Sequence, residues 1–276
     1  MPPRMLQITS TQNPRIKEVI KLDKRSYRDE QDIVVVEGFR EVRRALDNGR
    51  IPLAHFFCPE LFQGENDAPL VERSNQIGAE MFECSRDVFG KIAYRDRPEG
   101  HVALFRQLHL TLGGLKLPSN PLLIVAEAIE KPGNLGSLLR SADAAGVHGV
   151  IVCDRCTDIH NPNCVRSSIG TLFSLPVVEA SSDDSLAWLR QNGIKILAAT
   201  PNTKHEYTDV DMRGGIAIVV GTEKFGLSDR WMKEADLQVR IPMLGQIDSL
   251  NVACATTILL YEAVRQRRLA KPLPAN

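Results

Sequence analysis

The stretch from Leu122 to Val152 constrains the fold of this chain more than any other. It opens with Leu122–Ala126, an uninterrupted and partly β-branched apolar run of the kind found in strands buried on both faces. A loop follows, then Gly136–Ala145 with apolar residues near helical spacing, and then a second apolar run, Gly149–Cys153. This order predicts a strand–loop–helix–strand unit of a parallel sheet, in which ligands usually bind at the carboxyl ends of the strands.

The loop of this unit does not identify a ligand by itself. It has neither the G-x-G-x-x-G spacing of a dinucleotide site nor the G-K-[ST] ending of a P-loop. Gly133 and Gly136 are as consistent with a tight turn before a helix as with a binding loop.

Strands and helices alternate after this unit. The further predicted strands are Ile194–Ala199, Ile216–Val220 and Leu237–Ile241. The further predicted helices are Pro162–Ile169, Asp184–Asn192, Ser228–Glu234 and Ser249–Arg267. Such alternation predicts an α/β fold with a mainly parallel sheet and helices on both faces.

The preceding residues predict a smaller α/β domain. Its predicted strands are Ile33–Val36, Ala54–Cys58, Glu80–Cys84 and Val102–Leu104, and its clearest helix is Phe39–Asn48. Residues 59–78 are polar and poorly periodic, and no regular element is predicted there. Gly113, Gly114, Pro118 and Pro121 interrupt the pattern, so we predict an N-terminal domain over residues 1–107, a linker over 108–120 and a second domain over 121–276.

Composition excludes some classes of protein. The 276 residues carry a formal net charge of zero, which argues against coating of nucleic acid by bulk charge but permits local basic patches. No apolar run approaches the roughly 18–20 residues needed to span a membrane, and the first residues lack the apolar core of a signal peptide. We therefore expect a cytoplasmic protein with no membrane partner.

The six cysteines do not predict a metal centre. Cys153 and Cys156 form one C-x-x-C pair, but a zinc site needs a second pair at matching spacing, and a redox motif normally opens a helix rather than closing a strand. No metal is predicted.

Residues 4–31 are dense in charge of both signs. Their spacing favours a solvated amphipathic helix of mixed charge, and a basic face that binds phosphates is the alternative. In the second interpretation, Arg25 and Arg28 are candidate RNA contacts.

Three loops of the second domain each follow a buried strand and combine glycine with a few polar residues. They are Lys131–Arg140, Gly221–Ser228 and Ile241–Asn251. Loops that follow parallel strands gather at one end of the sheet. Together they predict a pocket of backbone groups with an apolar floor, suited to a small, nearly flat, adenosine-like ligand.

The polar residues of these loops resemble the three signature motifs of the SpoU/TrmH family of RNA 2′-O-ribose methyltransferases, in the SPOUT superfamily. The matching patterns are Asn134-x-Gly136-x3-Arg140, Gly221-x-Glu223-x2-Gly226-Leu227-Ser228, and Ile241-Pro242-Met243 followed by Ser249-Leu250-Asn251. The resemblance is strong over residues 121–268 and looser over 6–105, where VVEGFREVRRAL is similar to the family's N-terminal substrate-binding domain.

The resemblance implies a fold, a reaction and partners. The second domain would be a SPOUT domain with a deep trefoil knot and would form a homodimer, and the first would be ribosomal-protein-like. The cofactor would be S-adenosyl-L-methionine and the substrate a ribose 2′-hydroxyl of RNA, with ribosomal RNA favoured over tRNA. A non-catalytic RNA-binding protein of this fold and a tRNA- or base-directed SPOUT enzyme are the alternatives, and nothing selects or excludes a role in antibiotic resistance.

The resemblance also assigns residues. Positions matching the family's catalytic residues are Asn134, Arg140, Glu223, Ser249 and Asn251. Positions matching its cofactor contacts are Gly221, Ile241 and Leu250, with Thr200 and Met243 expected nearby, and Arg166 matches a position near the RNA phosphate. The second motif departs from the family pattern at Thr222 and Lys224, which places substrate contacts rather than cofactor binding in question.

Chemistry limits the roles of these residues. A guanidinium stays charged, so we assign Arg140 to the adjacent phosphate or to the developing alkoxide, and we leave the proton to the phosphate, Ser249 or water. Glu223 is expected to fix the backbone and Asn134. Local alternatives are that Asn134 and Ser249 cap helices, that Arg140 pairs with Asp143, and that Glu223 is only a loop charge.

Overall fold

A computed structural model describes residues 5–269 of the chain. The strands are β1 Leu6–Ile8, β2 Ile33–Glu37, β3 Ala54–Phe57, β4 Glu80–Cys84, β5 His101–Arg106, β6 Leu122–Glu127, β7 Gly149–Cys153, β8 Val177–Ala180, β9 Lys195–Ala199, β10 Ile216–Val220 and β11 Leu237–Val239. The helices are α1 Pro14–Lys21, α2 Arg25–Gln31, α3 Phe39–Asp47, α4 Asp67–Gln76, α5 Arg86–Ile92, α6 Pro132–Ala144, α7 Pro162–Ser167, α8 Ser182–Gln191, α9 Asp229–Glu234 and α10 Val252–Leu269. Across these described residues, no helix combines the length and the apolar character needed to cross a bilayer.

The chain divides into two compact units. One unit runs up to Leu108 and also contains Asp158–Ser174, while the other contains His109–Thr157 and continues from Leu175. Helix α7 therefore belongs to the first unit, although strands β7 and β8 on either side of it in sequence belong to the second.

The first unit is built on a five-stranded mixed sheet in the order β1-β4-β3-β5-β2. Strand β5 is antiparallel to β2 and β3, whereas β1, β4 and β3 are parallel. Apolar residues of the sheet pack against α1 and α5, with Ile16, Phe56, Phe89 and Val102 fully or almost fully buried. The prediction of a small α/β arrangement in this part of the chain is confirmed, but β1 was not predicted.

Helix α4 corrects the prediction that residues 59–78 form no regular element. Its buried positions are Asp67, Leu70, Val71 and Ser74, which is helical spacing, but half of this inward stripe is polar. The polar members are satisfied by a buried chain of hydrogen bonds in which His101 Nε2 lies 2.7 Å from Asp67 Oδ1, and His55 connects His101 Nδ1 (3.2 Å) to Ser74 Oγ (2.9 Å). A stripe of mixed polarity does not stand out as hydrophobic periodicity, which explains the error.

The second unit is built on a six-stranded sheet in the order β11-β9-β10-β6-β7-β8. All neighbouring pairs are parallel, which confirms the predicted parallel α/β fold. Strands β6, β7 and β10 are buried along their whole length because helices cover both faces. Strand β8 was not predicted, since only Val177 and Val178 of its four residues are buried.

Two helix boundaries differ from the prediction in ways that affect the polar loops. Helix α6 begins at Pro132, four residues before the predicted start, because proline fits the first helical position, where its missing N–H is not needed. Asn134 therefore lies in the first turn of a helix. Helix α10 begins at Val252, so Ser249 and Asn251 precede it.

Candidate active site

The predicted site loops emerge from one end of the second sheet. Strands β11, β9, β10 and β6 are consecutive neighbours and run parallel, so the segments that follow them lie side by side, about 4.8 Å from strand to strand. Thr200 follows β9, Gly221 follows β10, and the segment that leads to Ile241 follows β11. The start of α6, which carries Asn134, comes after β6.

Three of these segments are joined by a hydrogen-bonded network centred on Glu223. Asn134 Nδ2 donates a short hydrogen bond to Glu223 Oε1, and Asn251 Nδ2 donates to the same oxygen at 2.9 Å. Asn251 Nδ2 also donates to Asn134 Oδ1 at 3.1 Å. The structure thus brings together three of the five predicted catalytic positions, from segments 28 to 117 residues apart in sequence.

The orientation of both amides follows from their partners. The backbone N–H of Ala253 donates to Asn251 Oδ1 at 3.0 Å, so the Nδ2 group of Asn251 must face Asn134 and Glu223. The same bond shows that Asn251, not Ser249, caps the last helix. The proposed local role of Asn134 as a helix cap is also wrong, because its side chain bonds to distant residues and the residue at the cap position is Lys131.

Lys131 is a member of the network that the sequence analysis did not assign. Its Nζ donates to Glu223 Oε2 at 2.7 Å, and its side chain is 68% exposed. The hydrogen bond and charge of Lys131 lower the pKa of Glu223, and the Glu223 carboxylate in turn raises the pKa of Lys131. Glu223 is therefore held as a carboxylate that accepts hydrogen bonds, which makes it a poor base. A lone lysine just before a helix gives no sequence signal of this role.

A closed turn carries Glu223. Thr222 and Gly226 exchange two backbone hydrogen bonds of 3.0 Å each, and Thr222 Oγ1 accepts the N–H of Phe225 at 2.9 Å. Gly221, just before the turn, is buried, and an added Cβ would lie 2.2 Å from the carbonyl oxygen of Gly226. Only glycine fits there, and the constraint is space rather than backbone angle.

The remaining positions predicted to contact the cofactor are half-buried. These positions are Thr200, Ile241, Met243 and Leu250. The N–H of Thr200 donates to the carbonyl of Val239 at 2.9 Å, which ties the ends of β9 and β11 together. Half-buried apolar side chains beside a tightly packed glycine loop fit the adenosine portion of S-adenosyl-L-methionine, since such ligands bind in apolar clefts with a few backbone contacts.

Arg140 and Ser249 are not members of the network. Arg140 is exposed on α6. Ser249 is exposed, and its Oγ lies 3.5 Å from Asp248 Oδ1. Both side chains are accessible to a bound substrate.

The three predicted RNA contacts differ in accessibility. Arg166 is exposed on α7, and Arg25 has a side chain that is 37% exposed with ion pairs to Asp29 and Asp158. Arg28 corrects the prediction, because its side chain is only 1% exposed and donates to Asp158 Oδ2 at 3.1 Å and to the carbonyl of Leu22 at 2.7 Å. A phosphate has no access to Arg28, which binds the first unit together instead.

Both parts of the chain match the profile of a known protein family or domain. Residues 121–261, a little over half of the chain, match the profile of the SpoU rRNA Methylase family. Residues 13–103 match the profile of the MRM3-like substrate binding domain.

Individual relatives match along almost the full chain. The 23S rRNA (guanosine(2553)-2′-O)-methyltransferase RlmP of Bacillus subtilis is 29% identical over 257 residues, which is 93% of this chain and 98% of RlmP. A crystal structure of an RNA 2′-O ribose methyltransferase has a TM-score of 0.83 and 39% identity, covering 95% of this chain and all of that one. The SpoU methyltransferase AviRb of Streptomyces viridochromogenes, in complex with AdoMet, has a TM-score of 0.85 and 29% identity, covering 93% and 99% of the two chains.

Proposed function

Because this chain belongs to the SpoU rRNA methylase family, we propose that it transfers the methyl group of S-adenosyl-L-methionine to a ribose 2′-hydroxyl of ribosomal RNA. The observation that carries this proposal is the network of Asn134, Glu223 and Asn251, which matches the family's catalytic positions and is assembled from three separate segments. The name of RlmP supports the same substrate class, and the AdoMet bound to AviRb supports the same cofactor.

We assign the cofactor contacts to the loops after β9, β10 and β11. Gly221, Ile241 and Leu250 would line the adenosine portion, with Thr200 and Met243 beside them. When bound, S-adenosyl-L-methionine supplies an activated methyl group on a sulfonium, so the protein must chiefly position the hydroxyl and remove its proton.

Glu223 has a positioning role in this reaction. Its two carboxylate oxygens accept hydrogen bonds from Lys131, Asn134 and Asn251, and its lowered pKa disfavours proton uptake. By linking the start of α6, the turn after β10 and the cap of α10, it holds the three segments in one geometry. Preorganised groups of this kind lower the barrier because they need no rearrangement during the reaction.

Arg140 is assigned to the RNA. Its exposed guanidinium is available to bind the phosphate next to the target ribose or to stabilise the developing alkoxide. A ribose hydroxyl is a poor nucleophile until its proton has an acceptor. The substrate phosphate, the Ser249 hydroxyl and water are the acceptors consistent with the exposure of this region.

The wider organisation follows from the family. We propose that residues 1–107 bind the RNA substrate, that 108–120 link the domains, and that 121–276 form the methyltransferase domain. Arg25 in the first segment and Arg166 on α7 are the accessible candidates for RNA contacts. We further propose a trefoil knot in that domain, a homodimer formed through it, and a cytoplasmic location. The match of residues 13–103 to a substrate-binding domain supports the first of these assignments.

Mapping the methyl group tests the reaction. The purified protein is incubated with total RNA and labelled S-adenosyl-L-methionine, and the product is located by nuclease digestion and mass spectrometry. We expect a single 2′-O-methylated nucleotide in ribosomal RNA. A methyl group on a base or in tRNA would establish one of the alternative SPOUT activities, and cofactor binding without transfer would establish a non-catalytic protein.

Arg140→Lys and Arg140→Ala test the assignment of the arginine. Both variants should fold normally, because the side chain is exposed, and both should lose methyl transfer while retaining cofactor affinity by calorimetry. Lysine keeps the charge but not the planar, bidentate donor geometry. Turnover that survives both substitutions would remove Arg140 from the reaction.

A further inference from the structure

Phe225 is an exposed aromatic residue on an ordered turn, and core packing does not account for it. Its side chain is 76% exposed, although its own N–H is held by Thr222 Oγ1 and the turn is closed by the two hydrogen bonds between Thr222 and Gly226. Single exposed apolar side chains are common on protein surfaces, so it is the position of this ring beside the network that points to a role.

The turn fixes Phe225 close to the proposed catalytic network. Phe225 follows Glu223 by two residues, so their Cα atoms are at most about 7 Å apart. Glu223 is itself fixed by its bonds to Asn134 and Asn251. The ring is therefore presented from a backbone position that is set by the same network that we assign to the reaction.

The surroundings of the ring favour an anionic, flat ligand. Lys224 Nζ lies 4.9 Å from the centroid of the Phe225 ring. Lys131 and Arg140 add two more exposed cations on the neighbouring segment. Lys131 is paired with Glu223, so the cation in direct contact with the ring is Lys224.

We propose that Phe225 is a substrate-positioning residue whose ring stacks on the base of the nucleotide that is methylated, while Lys224 contacts a flanking phosphate. Single-stranded RNA is commonly recognised by aromatic side chains that stack on unpaired bases, and each such contact contributes about 1–3 kcal/mol. Stacking here would turn the target nucleotide so that its ribose faces the network, and Phe225 would thereby select an unpaired target base over a paired one. This inference rests on the proposed RNA methyl transfer.

Substitutions at Phe225 separate stacking from simple apolar contact. Phe225→Ala should raise the KM for an RNA fragment containing the target by about 5- to 150-fold, which is the measured range of stacking contributions converted at tenfold per 1.4 kcal/mol. Phe225→Leu, which retains apolar area but has no flat π-face, should remain impaired, whereas Phe225→Tyr and Phe225→Trp should restore the KM. Affinity for S-adenosyl-L-methionine by calorimetry should not change in any variant.

A double-mutant cycle with an altered RNA identifies the contacting group. Removing the target base, by placing an abasic ribose at that position, should reduce kcat/KM for the wild type by the same factor as Phe225→Ala. Combining the abasic RNA with Phe225→Ala should produce little further loss, because the two changes remove one contact. Multiplicative losses would show that the ring does not touch that base and would overturn the proposal.

The outcomes also distinguish this inference from its premise. If the wild type transfers no methyl group to any RNA, the proposed function fails. If the wild type is active and Phe225→Ala is equally active on both RNAs, only the stacking role fails. If analytical ultracentrifugation shows that Phe225→Ala changes the mass of the particle, the ring is covered by a second copy of the chain, and the stacking proposal is wrong.

Discussion

Replacing Gly221 by alanine should weaken methyl-donor binding by about two orders of magnitude without unfolding the protein. The added Cβ would lie 2.2 Å from the carbonyl oxygen of Gly226, 2.4 Å from its carbonyl carbon and 2.6 Å from the N of Leu227. All three are backbone atoms, so no side-chain rotation relieves the overlap. The turn must open, at the cost of the two bonds between Thr222 and Gly226 and the bond from Phe225 N to Thr222 Oγ1.

The size of the effect follows from these bonds. At a net value of about 1 kcal/mol each, three lost hydrogen bonds disfavour the closed turn by about 3 kcal/mol. If the donor binds only the closed turn, the binding-competent fraction falls to about one in 150, and the apparent Kd rises about 150-fold. The free energy of unfolding should fall by at most about 3 kcal/mol, since the turn can open while the sheet stays folded.

Calorimetric titration with S-adenosyl-L-methionine and with its demethylated product measures this change, and urea unfolding measures the stability. Gly133→Ala is the matched control. Gly133 lies in the first turn of α6, one residue before Asn134, and a Cβ there would meet nothing within 4 Å. It should bind the donor like the wild type. A folded Gly221→Ala variant with wild-type affinity would refute both the steric argument and the assignment of this turn to the donor site.

Three further substitutions test the roles of ionisable side chains. Lys131→Met removes the cation that lowers the pKa of Glu223. The pKa of Glu223 should therefore rise, and the acid limb of the pH–rate profile should move to higher pH. An unmoved limb would show that Glu223 ionisation does not limit the rate. Arg28→Met leaves the buried Asp158 with only the more distant Arg25 as a cation, 3.9 Å away, and should cost up to about 3–5 kcal/mol in urea unfolding, with the RNA affinity of the folded protein unchanged. Reduced RNA affinity at unchanged stability would restore the predicted phosphate contact. Burial lowers the pKa of His101, so below about pH 6.5 the unfolded chain takes up a proton that the folded chain does not, and stability should fall as the pH drops; an equal slope in His101→Gln would exclude this residue as the cause.

The sequence predicted those parts of the fold in which one physical requirement dominates. Strands β7 and β10 were predicted with their observed limits, because a strand buried on both faces needs an unbroken apolar run. Helix α4 was missed for the converse reason. Its inward Asp67 and Ser74 are tolerated only because His101 and His55, on strands β5 and β3, supply their hydrogen bonds. A pattern in α4 alone cannot reveal partners on other elements.

Arg28 illustrates the same limit for charge. Its neighbours in sequence indicate a solvated or phosphate-binding helix, yet its partner is Asp158, 130 residues away. A buried arginine needs a partner for its charge, and that partner lies outside residues 4–31.

The catalytic network depends on strand order, which local sequence does not determine. Each loop alone was equally consistent with helix caps and surface charges. Glu223 reaches Asn134, 89 residues earlier, because β10 lies directly beside β6. Strands β7, β8 and β9 lie between β6 and β10 in sequence. In the sheet, β7 and β8 lie on one side of β6 and β9 lies beyond β10, which leaves β6 and β10 adjacent. The resemblance of three motifs to one family did predict this contact, because in that family the three loops form one site. Lys131 lay outside those motifs and was therefore found only when the loops were placed side by side.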